Sequence, residues 1–414
     1  MGKKKNKQYD LLVIGGGASG MVAAITAARQ NQKVCILEKL DKLGKKILAT
    51  GNGKCNFTNE IMNANCFHAD SSFINNVLAQ FSVEDCLNFF HSIGIYPKNK
   101  NGYYYPNSEQ AASMVSALTQ EINQLGVHIV YETNITSINP AAEGVSIHCD
   151  KGTFSAKNVI IATGLKAAPK LGSDGSLFSV IESFGHKFNP VLPTLCGFYC
   201  KGIPFKSVSG VRAQGTVTAI INGKAVAEDT GEVQFTEYGL SGIPVFQISR
   251  FLSKGINQKE KVEIEINLLP DFDKKELQNE LNYRKSILSQ QTVDCLLNGL
   301  LNQKLANMIL EKNHLDKDIY ISSLSEQEIE QLIFSIQHLR VKVTNYRDYE
   351  FAQVCTGGIP LSDINKDTFE SNLVKHIFFV GELLDVDGIC GGYNLHFAWA
   401  SGYIAALATI ERSL

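Results

Sequence analysis

The chain has 414 residues, 44% of them hydrophobic and 19% charged, with a formal net charge of −2 at neutral pH. Thirty-nine basic against 41 acidic side chains argue against a nucleic-acid-binding protein, which carries a strong basic excess, and no apolar run reaches the ~18 residues of a membrane-spanning helix. Ten cysteines are too sparse for a disulfide scaffold and lack the paired spacing of a metal site. They read as thiols buried in a cytoplasmic protein, with no metal expected. Lys3, Lys4, Lys5 and Lys7 read as a solvated leader, since no signal-peptide run follows them.

Tyr9–Ile14 is a short apolar run that predicts a fully buried strand. It enters Gly15-Gly16-Gly17-Ala18-Ser19-Gly20 and then an Ala-rich helix to about Gln30. Lys33–Glu38 is a second buried strand that ends in an acid. Strand, turn, helix and strand make a unit the size of a dinucleotide half-site. In that setting Gly15-x-Gly17-x-x-Gly20 is a dinucleotide fingerprint. Gly15 permits the tight turn, Gly17 lets backbone approach a diphosphate, and Gly20 lets helix and strand pack closely. Ala18 and Ser19 stand at the positive end of the helix, where N–H groups are free. Glu38 is expected to accept hydrogen bonds from ribose hydroxyls and to repel a 2′-phosphate, which selects FAD or NAD at this site over NADP. Lys39 is counted with it.

Val127–Tyr131 is strand-like, and Gly144–Cys149 with Thr153–Ala156 predict a hairpin turned at Asp150-Lys151-Gly152. Asn158–Ile161 is another buried strand, running through Ala162 to Thr163 and Gly164 at the carboxyl edge where ligands of open α/β sheets sit. From about Pro190 the pattern turns to antiparallel β, with turns expected at Asn222-Gly223 and Asp229-Thr230-Gly231. Val262, Ile264 and Ile266 alternate with polar residues, as in a strand with one wet face. Residues 271–338 read as helical. Ser325 and Glu328 form a capping box there, stapled by Leu324 and Ile329. Strand-like Val341–Thr344 follows.

No second Gly-x-Gly-x-x-Gly appears, and the C-terminus turns back as a flavoprotein would. His376–Val380 is a strand, followed by Gly381, Glu382, Asp385, Asp387 and Gly388, then Gly391-Gly392-Tyr393-Asn394 and an Ala-rich helix. FAD is therefore preferred to NAD as the bound cofactor. Glu382 is placed to bind ribityl hydroxyls, and the helix start after Gly391-Gly392 to face the flavin pyrimidine. Gly44–Asn59 is rich in backbone donors and amides suited to phosphate and ribityl groups. Lys45 and Lys46 are expected to neutralise a diphosphate, and Gly51, Asn52, Gly53, Cys55 and Asn56 to line the cofactor.

The run Gly44–Asn59, with Gly102–Ser108, Ala162-Thr163-Gly164, Gly231–Ile243, Cys355-Thr356-Gly357-Gly358 and Gly381–Gly402 in order, resembles the HI0933-like flavoproteins. These are bacterial FAD-dependent oxidoreductases, some named for aminoacetone oxidation and some for bile-acid reduction. The sequence departs from the family pattern at Lys54, Leu165 and Cys390. The resemblance implies an α/β, Rossmann-like FAD-binding domain in two pieces, residues 1–190 and 345–414. Into it are set an antiparallel β-barrel-like domain, residues 191–270 and 339–344, and the helical insert 271–338.

Flavin supplies hydride chemistry, leaving the protein to place substrate and protons. Tyr393, His396 and Asp387 are the candidate proton-handling residues, with His396 equally readable as a packed structural histidine. By resemblance the leading expectation is a reductase that passes hydride from NAD(P)H to an activated C=C bond of a small molecule, a 3-oxo-Δ4 or Δ4,6 steroid or bile-acid-type enone. The alternatives are an amine oxidase of aminoacetone-like substrates using oxygen, and a non-catalytic flavin-binding or RNA-modification partner. Oligomeric state is left open.

Overall fold

The computed structural model describes residues 7–411; Lys3, Lys4 and Lys5 lie outside the described residues. The chain divides into two compact units, one of residues up to Val191 together with Gln353 onward, the other Leu192–Ala352.

The first unit is organised by a sheet around strand β1 (Lys7–Ile14), helix α1 (Ala18–Arg29) and strand β2 (Val34–Leu37). β1 runs parallel to both neighbours, Val13 standing opposite Ile36 on one side and Ile160 on the other. Leu11, Leu12 and Val13 are fully buried, as continuous apolar strands covered on both faces must be. Thr153–Ala156 and Asn158–Ile161, which read as two strands in the sequence, are one strand, Gly152–Ile161. β1 runs beside nearly its whole length, from Lys7 opposite Phe154 to Ile14 opposite Ile161. Its other edge is shared by the antiparallel strand Gly144–Cys149 and the parallel strand Ile377–Phe379.

Parallel pairing sends every carboxyl end to one edge. Ile14, Leu37, Ile161 and Phe379 therefore deliver the glycine turn, Glu38, Thr163-Gly164 and Gly381-Glu382 to a common place. α1 is buried from Ser19 through Ala27 because it lies against the closing helix Tyr393–Glu411. Their approach is so close that a Cβ on Gly402 would stand 2.2 Å from the Ser19 carbonyl oxygen. Helices Ser71–Gln80, Val83–Ser92 and Ala111–Gln124 complete this unit. With them comes a small antiparallel sheet of Thr58–Asn59, Tyr103–Pro106 and Pro97–Lys100.

The second unit contains a closed barrel of six antiparallel strands. Asn222 and Gly223 make the expected turn, both left-handed at φ 50° and 81°. Asp229-Thr230-Gly231 does not turn. Lys224–Thr236 runs straight through it, with Thr230 Oγ1 2.7 Å from Thr216 Oγ1 on the neighbouring strand. Gly231 serves packing instead, since a Cβ there would meet Pro244 at 3.0 Å. Val262–Asn267 alternates buried and half-buried positions as its sequence predicts. Helices Lys274–Ile287, Gln303–Lys312 and Glu326–Gln337 follow, the last capped by Ser325 and Glu328 reciprocally with Leu324 and Ile329 buried beside them. Among the described residues no helix is long and apolar enough to cross a membrane.

Candidate active site

The glycine turn follows from three different constraints. Gly15 has φ +96°, and a Cβ on it would lie 2.7 Å from the Ala162 carbonyl oxygen. On Gly20 a Cβ would lie 1.9 Å from the Gly15 oxygen, so only glycine lets the helix start against the strand end. Gly17 is the opposite case: a Cβ there would meet nothing within 4 Å. No side chain caps α1 at Gly17, so the amides of its first turn have no side-chain partner at the positive end of the helix.

Glu38, at the end of β2, is buried. Its carboxylate accepts the Gly16 N–H at 2.6 Å and the Leu40 N–H at 2.7 Å. Burial raises its pKa, against the opposing pull of those backbone donors. A carboxylate has about four lone-pair sites, so acceptor capacity remains for ribose hydroxyls.

The loop after Gly44 is wound by a run of left-handed residues, Gly51, Asn52, Gly53 and Cys55, with φ between 53° and 81°. Gly51, Asn52 and Gly53 are thereby exposed. Trp399 of the closing helix donates to the Phe57 carbonyl at 3.0 Å, which ties the loop to the C-terminal segment. Gly392 (φ +93°) fits against it so tightly that a Cβ would stand 2.9 Å from Asn56 Oδ1 and 2.8 Å from the Thr58 oxygen. Asn59 Nδ2 donates to the Gly391 carbonyl at 2.9 Å. At the strand ends, Lys46 pairs with Glu382 at 2.6 Å, and the other Glu382 oxygen accepts the Cys355 N–H at 2.8 Å. Gly381 (φ +66°) lies against Ser19, and Gly164 (φ +66°) lies beside Ser173 and Glu382, with Thr163 before it half-buried.

Several expected site residues are occupied otherwise. Lys39 pairs with Asp174, and Lys45 with Asp41 four residues earlier at 2.6 Å; Lys46 is paired too, but with Glu382 at the strand ends. The Cys55 side chain is fully buried, its thiol pushed up to about 12 by burial, so only its backbone can serve a ligand. Asn394 exchanges two 2.8 Å hydrogen bonds with the backbone of Gly388, as a clamp on the turn. His396 is completely buried, with Nδ1 2.8 Å from Thr58 Oγ1 and Nε2 3.3 Å from the Phe81 carbonyl oxygen. Burial lowers its pKa to about 4. Both ring nitrogens are engaged within the core, so it is a structural histidine and not a proton donor to substrate. Asp387 is buried as well, its carbonyl accepting the His68 N–H.

Tyr393 remains. Its ring is mostly buried against Phe67, yet it forms part of the wall of an open cleft of about 440 Å³ shared with Asn59, Glu60, Ile61, Asn101, Gly102 and Tyr103. Burial first, and the Cys66 thiol second, raise its pKa, so the phenol is neutral and a donor throughout the physiological range. Exposed Ile61 and Tyr103 give the cleft apolar lips.

The residues present fit FAD. Open space lies at Gly17, beside the uncapped first turn of α1, as a diphosphate there would require. Three buried side-chain oxygens in the strand-end and loop segments have no hydrogen-bond partner: Asn56 Oδ1, Ser173 Oγ and Thr356 Oγ1. A cofactor rich in hydroxyl and ring N–H groups can satisfy such atoms. Ser173 escapes sequence reasoning because a serine before an acid carries no spacing signal, and Thr356, though within the Cys355–Gly358 run of the resemblance, has no role assigned by it. Among the described residues no group of three or more His, Cys, Asp or Glu side chains is placed to hold a metal.

The family model described as the HI0933-like protein Rossmann domain matches residues 9–408. The chain is 41% identical to a 3-dehydro-bile acid delta(4,6)-reductase of Clostridium scindens, across 97% of this chain and 98% of that one. It is 30% identical to a ribosomal RNA dihydrouridine synthase of Haemophilus influenzae, across 96% and 97%. Among solved structures it is similar to a 3-ketosteroid-delta4-(5alpha)-dehydrogenase of Rhodococcus jostii, with TM-score 0.48, 15% identity and 97% of each chain covered.

Proposed function

The chain belongs to the HI0933-like family and is a flavin-dependent oxidoreductase, and from that premise we propose that it reduces a C=C bond conjugated to a carbonyl, with NADH or NADPH as reductant and a 3-oxo-Δ4 or Δ4,6 steroid-type small molecule as acceptor. The observation that carries this reading is a neutral, mostly buried phenol, Tyr393, in the wall of an open cleft with apolar lips.

Bound FAD supplies the hydride chemistry. The chain's own residues do the rest. The amides at the start of α1 and the Lys46 ammonium hold a diphosphate, while Glu38 and Glu382 offer acceptors to hydroxyls. In a conjugated ketone the carbonyl draws electrons from the β carbon, so that carbon accepts hydride and the α carbon must then receive a proton. Tyr393 can donate that proton directly or through one water, and Ile61 and Tyr103 provide apolar surface for a ring system. Buried thiols such as Cys55, Cys86 and Cys196 suit a reducing compartment, and we place the protein in the cytoplasm.

The 30% identity to a dihydrouridine synthase favours a second reading, reduction of uridine in RNA. The double bond of uracil is also conjugated to a carbonyl, so the chemistry is shared and only the acceptor differs. The near-balanced charge supports the small molecule first. Stopped-flow under anaerobic conditions separates the readings. The flavin should bleach with NADH or NADPH and regain its colour on addition of a 3-oxo-Δ4 steroid. Recovery with a uridine-containing rRNA fragment alone selects the second reading, and bleaching by aminoacetone with no response to NAD(P)H overturns both.

A further inference from the structure

The hairpin beside the cleft carries charges that the proposed reaction does not use. Its strands pair with Lys98 opposite Tyr105 and Lys100 opposite Tyr103. Directly opposed residues lie about 5 Å apart and share a face, so Lys98 and Lys100 flank Tyr103, which lines the cleft. Lys54, from the loop after Gly44, joins them on a single carboxylate. Glu109 lies 2.8 Å from Lys98, 2.6 Å from Lys100 and 3.6 Å from Lys54. All three lysine side chains are 40–52% exposed and so can meet a ligand. Lys100 and then Lys98 hold the Glu109 pKa down to about 2, so it stays ionised as their internal counter-ion. Glu60, on the cleft wall, accepts a hydrogen bond from Asn99 at 3.0 Å. Three ammonium groups still outnumber these two carboxylates.

We propose that Lys54, Lys98 and Lys100 seat the anionic end of the acceptor, with Glu109 holding the place until it arrives and the apolar body lying along Ile61, Tyr103 and Tyr393. The inference rests on the reductase reading for the kind of acceptor, a bile-acid-type enone included, and adds which residues receive its carboxylate.

Binding titrations of the holoenzyme with a 3-oxo-Δ4 steroid carboxylate and its methyl ester test it. Wild type should bind the acid more tightly than the ester, with the difference shrinking as salt is added. The double substitution Lys98→Gln and Lys100→Gln should weaken the acid roughly fivefold to tenfold, two half-exposed ion pairs' worth, and leave the ester unchanged. Glu109→Gln should tighten the acid. Misfolding would not move the two ligands apart, nor the variants in opposite directions. Equal binding of acid and ester, equal loss of both in the lysine variant, or no binding of either by wild type overturns the seat. Lysine-dependent binding of the acid with no flavin reoxidation by any enone leaves the seat standing and sinks the reductase reading instead.

Discussion

Tyr393 and His396 are three residues apart on one helix and meet opposite fates. The tyrosine ring reaches the cleft, whereas the imidazole is locked between Thr58 and Phe81. Tyr393→Phe is expected to slow flavin reoxidation by the acceptor roughly 100-fold or more, the scale of a lost general acid. Reduction by NAD(P)H should be unchanged, which stopped-flow of the two half-reactions reads separately. His396 predicts a pH dependence of stability. Its pKa falls from 6.5 to about 4 on folding, so the unfolded chain binds the proton more readily. Its contribution, on the order of 3 kcal/mol, is complete above pH 6.5, declines as pH falls below that value, and is gone below about pH 4. Replacing His396 with Gln should flatten this part of the curve of stability against pH, measured by urea unfolding. Both roles were open in the sequence, because spacing places a side chain on a helix but does not show which face of the helix is covered.

At the scale of elements, the opening strand, turn and helix were legible because buried parallel strands are unbroken apolar runs and the turn needs glycine for steric reasons. The glycines separate two kinds of constraint. Gly402→Ala drives a Cβ into the backbone of α1 and is expected to cost about 1–3 kcal/mol of stability through overpacking. Gly17→Ala puts its Cβ into open space and should leave apoprotein melting nearly unchanged. It removes room for the diphosphate, with loss of one or more charge-assisted backbone hydrogen bonds and at least about a tenfold fall in FAD affinity. Calorimetry and flavin fluorescence on the two variants check both halves. Asp229-Thr230-Gly231 misled because its turn-forming residues sit where Pro244 needs a glycine neighbour and a threonine pair joins the strands. The hairpin Pro97–Pro106 gave little warning: its left-handed corner is Asn101-Gly102, but its strands are lysine-, asparagine- and tyrosine-rich, with no apolar alternation.

Across the whole molecule, distant segments of one chain come together at the proposed cofactor site: residues 15–59, residues 162–174 and residues 355–394. Local motifs announced the first and last. What joins them is tertiary. The pairs Lys46 with Glu382, Asn59 with Gly391 and Trp399 with Phe57 each span more than 300 positions, a separation at which periodicity and motif spacing carry no information. The unpartnered oxygens of Asn56, Ser173 and Thr356 emerge only once those segments are assembled. The most direct measurement is a titration of purified apoprotein with FAD, followed by quenching of flavin fluorescence. One FAD per chain should bind, with affinity reduced in Gly17→Ala and in Glu382→Gln. A protein that stays colourless and leaves free FAD fluorescence untouched would contradict the account at its root.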